Sequence, residues 1–217
     1  MVAAYPAILD ELGRGAPVNL KRVGGGCIAD AQIATFADGS DAFIKCASGR
    51  PDMFAREAEG LEALVAASAI RVPAVLAVDE NALVLERIRE APRMPGFFEE
   101  FGRRFARLHE FRGPACGFPH DNYIGSTEQR NVPVQGSWAE SRDERGEEWP
   151  RFFLEQRLQF QVRLAGARGH GGELERLLDR AEKRILELLA TATEAPSILH
   201  GDLWSGNYMA DEEGAPC

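Results

Sequence analysis

His200, Asp202 and Asn207 stand in the run His200-Gly201-Asp202-Leu203-Trp204-Ser205-Gly206-Asn207, which follows the apolar Ile198-Leu199. An aspartate can accept a hydrogen bond from an attacking hydroxyl. An asparagine five positions on, carried by the same tight loop, can lay a neutral oxygen on a magnesium ion. Both groups then converge on one phosphate, which makes Asp202 the candidate catalytic group and Asn207 the candidate metal ligand. The alternative is an Asx-rich turn that satisfies its own backbone.

A second constellation lies near the N-terminal end. In the strand-like run Ala42 to Ala47, alternation puts Phe43, Lys45 and Ala47 on one face, so Lys45 interrupts an apolar pattern. Edge strands also carry such lysines as gatekeepers. From Pro51 onward, Phe54, Ala58, Leu61 and Val65 recur at helical spacing. Glu57 falls between Phe54 and Leu61 on that stripe, and Glu59 falls well away from it. Stranding one member of a buried ion pair costs about 3–5 kcal/mol, so an inward carboxylate requires a cation and Lys45 is the expected one. A strand lysine held by a helix glutamate can grip the α- and β-phosphates of ATP.

Gly24, Gly25 and Gly26 lie at the mouth of a strand-turn-strand pattern, Cys27 to Phe36 and Ala42 to Ala47 about Asp38-Gly39-Ser40. Without Cβ atoms their N–H groups can approach phosphate oxygens, although glycine clusters also simply make turns. No Gly-Lys-Ser/Thr follows and the next segment reads as strand, which excludes a Walker loop and a dinucleotide fingerprint. Cys27 would sit beside bound phosphates, where a cation could lower its thiol pKa and open it to oxidation; the alternative is a small buried thiol.

The elements that must position these residues divide at residue 88. Residues 1–88 read as a nucleotide-binding lobe: a short helix over Tyr5 to Leu12, a strand from about Val18, the hairpin, the helix after Pro51 ending before Val72-Pro73, and strands near 74–78 and 82–87. Residues 89–217 read as a helical lobe, with helices at Phe97 to Phe111, Trp149 to Ala165 and Glu173 to Leu189 and a long irregular stretch from Arg112 to Glu148. On the last helix Leu174, Leu177, Leu178, Ala181, Ile185 and Leu188 share a face, for which core packing is expected. Gly169-His170-Gly171-Gly172 reads as a helix-to-helix turn.

Composition sets the outer limits. The 217 residues carry 25 Lys plus Arg against 34 Asp plus Glu, a net charge of -9, with 45% apolar residues, a globular balance that argues against a nucleic-acid groove. No apolar run is long enough to cross a membrane and the first residues lack the order of a signal peptide, so a cytoplasmic location is expected. Cys27, Cys46, Cys116 and Cys217 are scattered without a C-x-x-C pair, which supports neither a disulfide framework nor a zinc site.

A glycine hairpin, a strand lysine, a helix glutamate, a helical second half and His-x-Asp-x4-Asn come in the order of a bilobal kinase. In addition, His200 to Asn207, Met53-Phe54 leading into Glu57 and Gly60-Leu61, Asp121-Asn122-Tyr123-Ile124-Gly125, and Trp149 with Phe152-Phe153 and Arg157-Leu158 closely resemble the fructosamine kinase and ketosamine 3-kinase family. The resemblance implies an α+β, bilobal protein-kinase-like fold, with a small antiparallel sheet carrying one main helix and then a mainly helical lobe. It also implies ATP with Mg2+ and transfer of the γ-phosphate to a sugar hydroxyl of a ketosamine, free or on a glycated protein. Lys45 and Glu57 would hold the phosphates, Asp202 would position or deprotonate the hydroxyl, and Asn207 would ligate magnesium. The run Val84 to Ile88 matches the linker that meets the adenine edge, with Glu86 and Ile88 as nucleotide contacts. Trp204 would be a platform for the sugar or a packing residue of the loop.

Two departures from the family pattern bear on activity. The stretch Val134 to Glu148 is longer than the usual connection to the Trp149 helix. Family members also continue beyond the position of Cys217 with an Asp-Pro-Ala motif whose aspartate is the main magnesium ligand. The chain of 217 residues alone is therefore expected to be weakly active or inactive, and a longer one to be a kinase. Two other readings stay open: a kinase of the same fold acting on another hydroxylated metabolite, and an inactive nucleotide-binding pseudokinase. Arg151, Arg157 and Arg163 on the Trp149 helix disfavour a polycationic aminoglycoside as substrate.

Overall fold

The computed structural model describes residues 7–24, 30–47, 52–131, 148–191 and 194–217. The chain forms two compact units, residues 1–111 with 198–217, and residues 112–197. The boundary expected at residue 88 falls within the first unit.

The first unit is built on a five-stranded sheet. Its strands are β1 (Asn19–Val23), β2 (Asp30–Thr35), β3 (Asp41–Cys46), β4 (Val75–Val78) and β5 (Ala82–Glu86). They are arranged β1-β2-β3-β5-β4, and every pairing is antiparallel. The β2–β3 turn closes because Asp38 Oδ1 accepts from the N–H and Oγ of Ser40 while Gly39 takes a φ of +81°. β5 reads Ala-Leu-Val-Leu because both of its faces are covered, each of those residues being 6% exposed or less.

On one face Ala42, Ile44, Ala82 and Val84 meet Ile8 and Leu9 of a short 3-10 helix, Ala7–Leu12. On the other lies α1 (Met53–Ala66), which packs near β4 and β5 and buries Phe54 and Ala58. Val65, at the far end of the α1 stripe, is instead exposed.

The unit continues through α2 (Phe97–Glu110). On α2, Phe97, Phe101 and Phe105 stack at i, i+4 spacing, and Tyr208 packs 5.0 Å from Phe101. Beyond the Asp202 loop, Met209 and Cys217 exchange backbone hydrogen bonds of 3.0 Å, forming a tight hairpin. Its turn is closed by Asp211 Oδ1, which accepts from the N–H groups of Glu213 and Ala215, and by Gly214 at φ +78°.

The second unit holds a small hairpin, β6 (Asn122–Ile124) and β7 (Thr127–Gln129), inside the stretch expected to be irregular. The helix expected at Trp149 to Ala165 is π-helical over Phe153–Gln159 before continuing as α3 (Phe160–Ala167). Arg157 lies 4.6 Å from the Phe152 ring and donates to the buried Asn131.

α4 (Gly171–Ala190) follows a turn in which a Cβ on Gly171 would stand 2.7 Å from the Cα of Gly166, so a side chain is excluded there. The core packing expected for the α4 apolar face is met only in part: Leu178, Ala181 and Ile185 are half-buried, whereas Leu174, Leu177 and Leu188 are 40%, 45% and 51% exposed. An amphipathic period fixes which residues share a face, but it does not fix what covers them.

Candidate active site

β3 and α1 bring the first pair together. The alternation of β3 turns Ala42 and Ile44 into the core and leaves Phe43 and Lys45 on the α1 side. Lys45 Nζ donates to Glu57 Oε1 at 2.5 Å, with about a third of each side chain exposed (30% and 34%). The expected pairing is present. Its setting is wetter than a buried pair, so the cost of stranding a buried charge is not what holds it. Glu59 pairs with Arg56 at 2.7 Å, as its different position on the helix requires.

The second group is the loop from His200 to Asn207, in the same compact unit. Gly201 takes a φ of +83°, and the Asp202 N–H donates to His200 Nδ1 at 3.3 Å. Burial pushes the His200 imidazole below its ordinary pKa, outweighing the Asp202 charge that raises it. Because Nδ1 accepts from the Asp202 N–H, the neutral ring would carry its proton on Nε2. Asn207 Nδ2 donates to the Asp202 carbonyl at 2.7 Å and to Asp202 Oδ2 at 2.9 Å, and the Asn207 N–H closes the loop on Trp204 O. With Nδ2 so engaged, Asn207 Oδ1 and the exposed Asp202 carboxylate are the oxygens left for a hydroxyl or a cation.

Gly206 lies under the Trp204 ring, and a Cβ there would stand 2.5 Å from it, so a side chain would displace the indole. The Trp204 indole is 58% exposed and so keeps an open face.

Other predicted residues fall differently. Gly24 is exposed at the end of β1, whereas Gly25, Gly26 and Cys27 lie outside the described residues. The Glu86 carboxylate is already engaged, accepting from Arg71 Nη2 at 2.7 Å and from the Ala74 N–H at 3.2 Å. The Glu86 N–H also donates to Ala74 O at 2.8 Å, so a nucleotide contact at Glu86 would run through its carbonyl. Ile88 is half-buried just beyond β5. No cluster of three or more His, Cys, Asp or Glu able to hold a metal occurs among the described residues. No helix of the described residues is long and apolar enough to cross a membrane.

Sequence reasoning passed over Arg71. It stands within 2.5 Å of Glu212 Oε2 as well as reaching Glu86. Its only sequence signal was its place in Ile70-Arg71-Val72-Pro73, between α1 and β4.

Comparison with known proteins places the chain in a family. The family model for fructosamine kinase matches residues 6–217. A chloroplastic protein-ribulosamine 3-kinase of Oryza sativa subsp. japonica is 33% identical over 202 residues, 89% of this chain and 55% of the rice protein. A candidate ketoamine kinase of Klebsiella aerogenes is 33% identical over 183 residues, 81% of this chain and 58% of that protein. The chain thus spans somewhat more than half the length of these curated relatives.

Among solved structures, a candidate fructosamine-3-kinase of Thermobifida fusca superposes with a TM-score of 0.77 at 27% identity, over 97% of this chain and 71% of that one. One from Haemophilus somnus, at 22% identity and a TM-score of 0.76, shares the fold. Beside a β3 lysine paired with an α1 glutamate and a His-x-Asp-x4-Asn loop, the family match over residues 6–217 shows that this chain belongs to the fructosamine kinase family.

Proposed function

We propose that this protein transfers the γ-phosphate of ATP to a sugar hydroxyl of a fructosamine or other ketosamine, as a small molecule or on a glycated protein. The observation that carries the reading is the pairing of Lys45 with Glu57 in the same compact unit as an Asp202 carboxylate held by Asn207. Phosphoryl transfer asks the protein mostly for positioning and charge, and these are the groups that supply them. Lys45, oriented by Glu57, offers a cation to the α- and β-phosphates. Gly24, Gly25 and Gly26 offer backbone N–H groups, and Glu86 and Ile88 offer their main chain to the adenine edge. Asp202 accepts the hydrogen bond of the attacking hydroxyl and orients it, and the open face of Trp204 receives the apolar side of the sugar.

Asn207 Oδ1 supplies a hard oxygen donor suited to Mg2+, which when bound neutralises phosphate charge. Residues 1–88 act in this reading as the nucleotide lobe and residues 89–217 as the helical lobe, in a protein working in the cytoplasm.

The test is nucleotide binding against turnover in the complete gene product. Asp202→Asn keeps ATP affinity in calorimetric titration, while ketosamine-dependent ATP consumption falls roughly 10²–10⁴-fold, the usual share of a general base. Undiminished turnover in that variant removes Asp202 from the chemistry. Binding without any turnover in the wild type favours a nucleotide-binding protein instead.

A further inference from the structure

Arg71 meets carboxylates from two directions. Nη2 donates to Glu86 Oε1 at 2.7 Å on the last residue of β5, within the run Val84 to Ile88 read as the adenine linker. Nη1 donates to Glu212 Oε2 at 2.5 Å and stands 3.5 Å from Asp211 Oδ2, both on the hairpin that follows the Asp202 loop. Each carboxylate is held again behind the contact. Glu86 Oε2 accepts from the Ala74 N–H, and Glu212 Oε1 accepts from the Arg89 N–H at 3.1 Å. The hairpin and linker also meet where the Met94 N–H donates to Gly214 O at 3.0 Å. The approach there is so close that a Cβ on Gly214 would lie 2.5 Å from Pro92 O.

The Arg71, Glu86 and Glu212 side chains are 34%, 36% and 42% exposed, and ion pairs so placed add little to folding at neutral pH. What a planar guanidinium does supply is geometry, since two carboxylates on one fork cannot shift independently.

We infer that Arg71 is a positioning residue, tying the hairpin that continues the Asp202–Asn207 loop to the linker read as the adenine contact. The catalytic aspartate is thereby set at a fixed place relative to the nucleotide. The inference rests on the kinase reading above. Adenine affinity is assigned to main-chain groups at the end of β5. The pairing of β5 with β3 and β4 is made by the backbone and by the buried Ala82 to Leu85, whereas Arg71 touches β5 only at the Glu86 side chain. The orientation of the loop depends on the tie.

Kinetics and hydrogen exchange on the complete gene product decide the matter together. Arg71→Met lowers kcat about tenfold while KM for ATP stays within about twofold, because sub-ångström displacement of a reacting group is costly whereas binding to β5 is untouched. Glu212→Gln acts in the same direction, and the Arg71→Met/Glu212→Gln double variant is no slower than the slower single one. Arg71→Lys does not restore kcat, since one ammonium cannot fork to two carboxylates. In Arg71→Met the Arg89 and Met94 amides exchange faster while those of β3 and β5 do not. Unchanged kcat and unchanged exchange in Arg71→Met overturn the inference and leave the kinase reading standing. Parallel changes in kcat and KM with faster exchange throughout the sheet also overturn it, because they mark a merely structural residue. Absence of any wild-type turnover overturns both.

Discussion

At the scale of single residues, Lys45 and Glu57 show how far a spacing argument reaches. The alternation of β3 and the period of α1 were enough to choose Glu57 over Glu59, and the structure joins Glu57 to Lys45 at 2.5 Å. Burial was not legible, because sequence gives direction and not the depth of the surrounding surface. That depth changes what substitution should do. With about a third of each side chain exposed, the pair contributes at most about 1 kcal/mol to folding. Lys45→Met should therefore leave the thermal midpoint nearly unmoved while ATP-dependent turnover falls by roughly 10²-fold or more, as expected when a phosphate-binding charge is lost. Denaturation and kinetics on one preparation separate the two effects, and a large drop in midpoint with activity falling only in proportion would make the pair structural. The Trp204–Gly206 contact was beyond reach: the glycine is visible in the sequence, but the ring that lies over it is identified only once the loop closes.

At the scale of elements, the sheet and α1 were readable because their periods are unambiguous, and the final hairpin was passed over. Met209 to Cys217 has almost no apolar alternation. Its turn is made by one aspartate side chain and by Gly214 in the left-handed region, a local device with a weak pattern. The three-residue strands β6 and β7 were passed over for a similar reason, although Gly125-Ser126 between Ile124 and Thr127 is a recognisable two-residue turn.

The hairpin also carries an acid dependence. The Arg89 N–H, with help from Arg71, holds the Glu212 carboxyl down at about 2, against an ordinary value of 4.5. A depressed carboxyl contributes stability that is fully present above its unfolded pKa and is lost as pH falls through the folded one. Attachment of the hairpin should therefore be constant above about pH 4.5 and weaken progressively toward pH 2, with Glu212→Gln abolishing that segment of the profile. Exchange rates of the Arg89 amide across this range check it. A profile unchanged by Glu212→Gln would assign the acid response elsewhere.

At the scale of the whole molecule, order along the chain was more informative than any one motif. A glycine hairpin, a strand lysine, a helix glutamate and the Asp202 loop arrive in the sequence expected of a kinase, and the structure gathers Lys45, Glu57, Asp202 and Asn207 into one compact unit drawn from both ends of the chain. The division into units was less legible, because the return of residues 198–217 to the first unit depends on contacts far apart in sequence, such as Arg71 with Glu212. The partial cover of the α4 apolar face likewise follows from packing and not from period. The claim that binds these scales is that the Asp202 loop and the Lys45–Glu57 pair move a phosphoryl group from ATP onto a ketosamine. Phosphorus NMR of the complete gene product incubated with ATP, Mg2+ and a fructosamine tests it most directly. The account predicts a new phosphate monoester resonance on the sugar that forms with wild type and fails to form with Asp202→Asn. Release of inorganic phosphate alone, or a monoester that forms equally well without the aspartate, would contradict it.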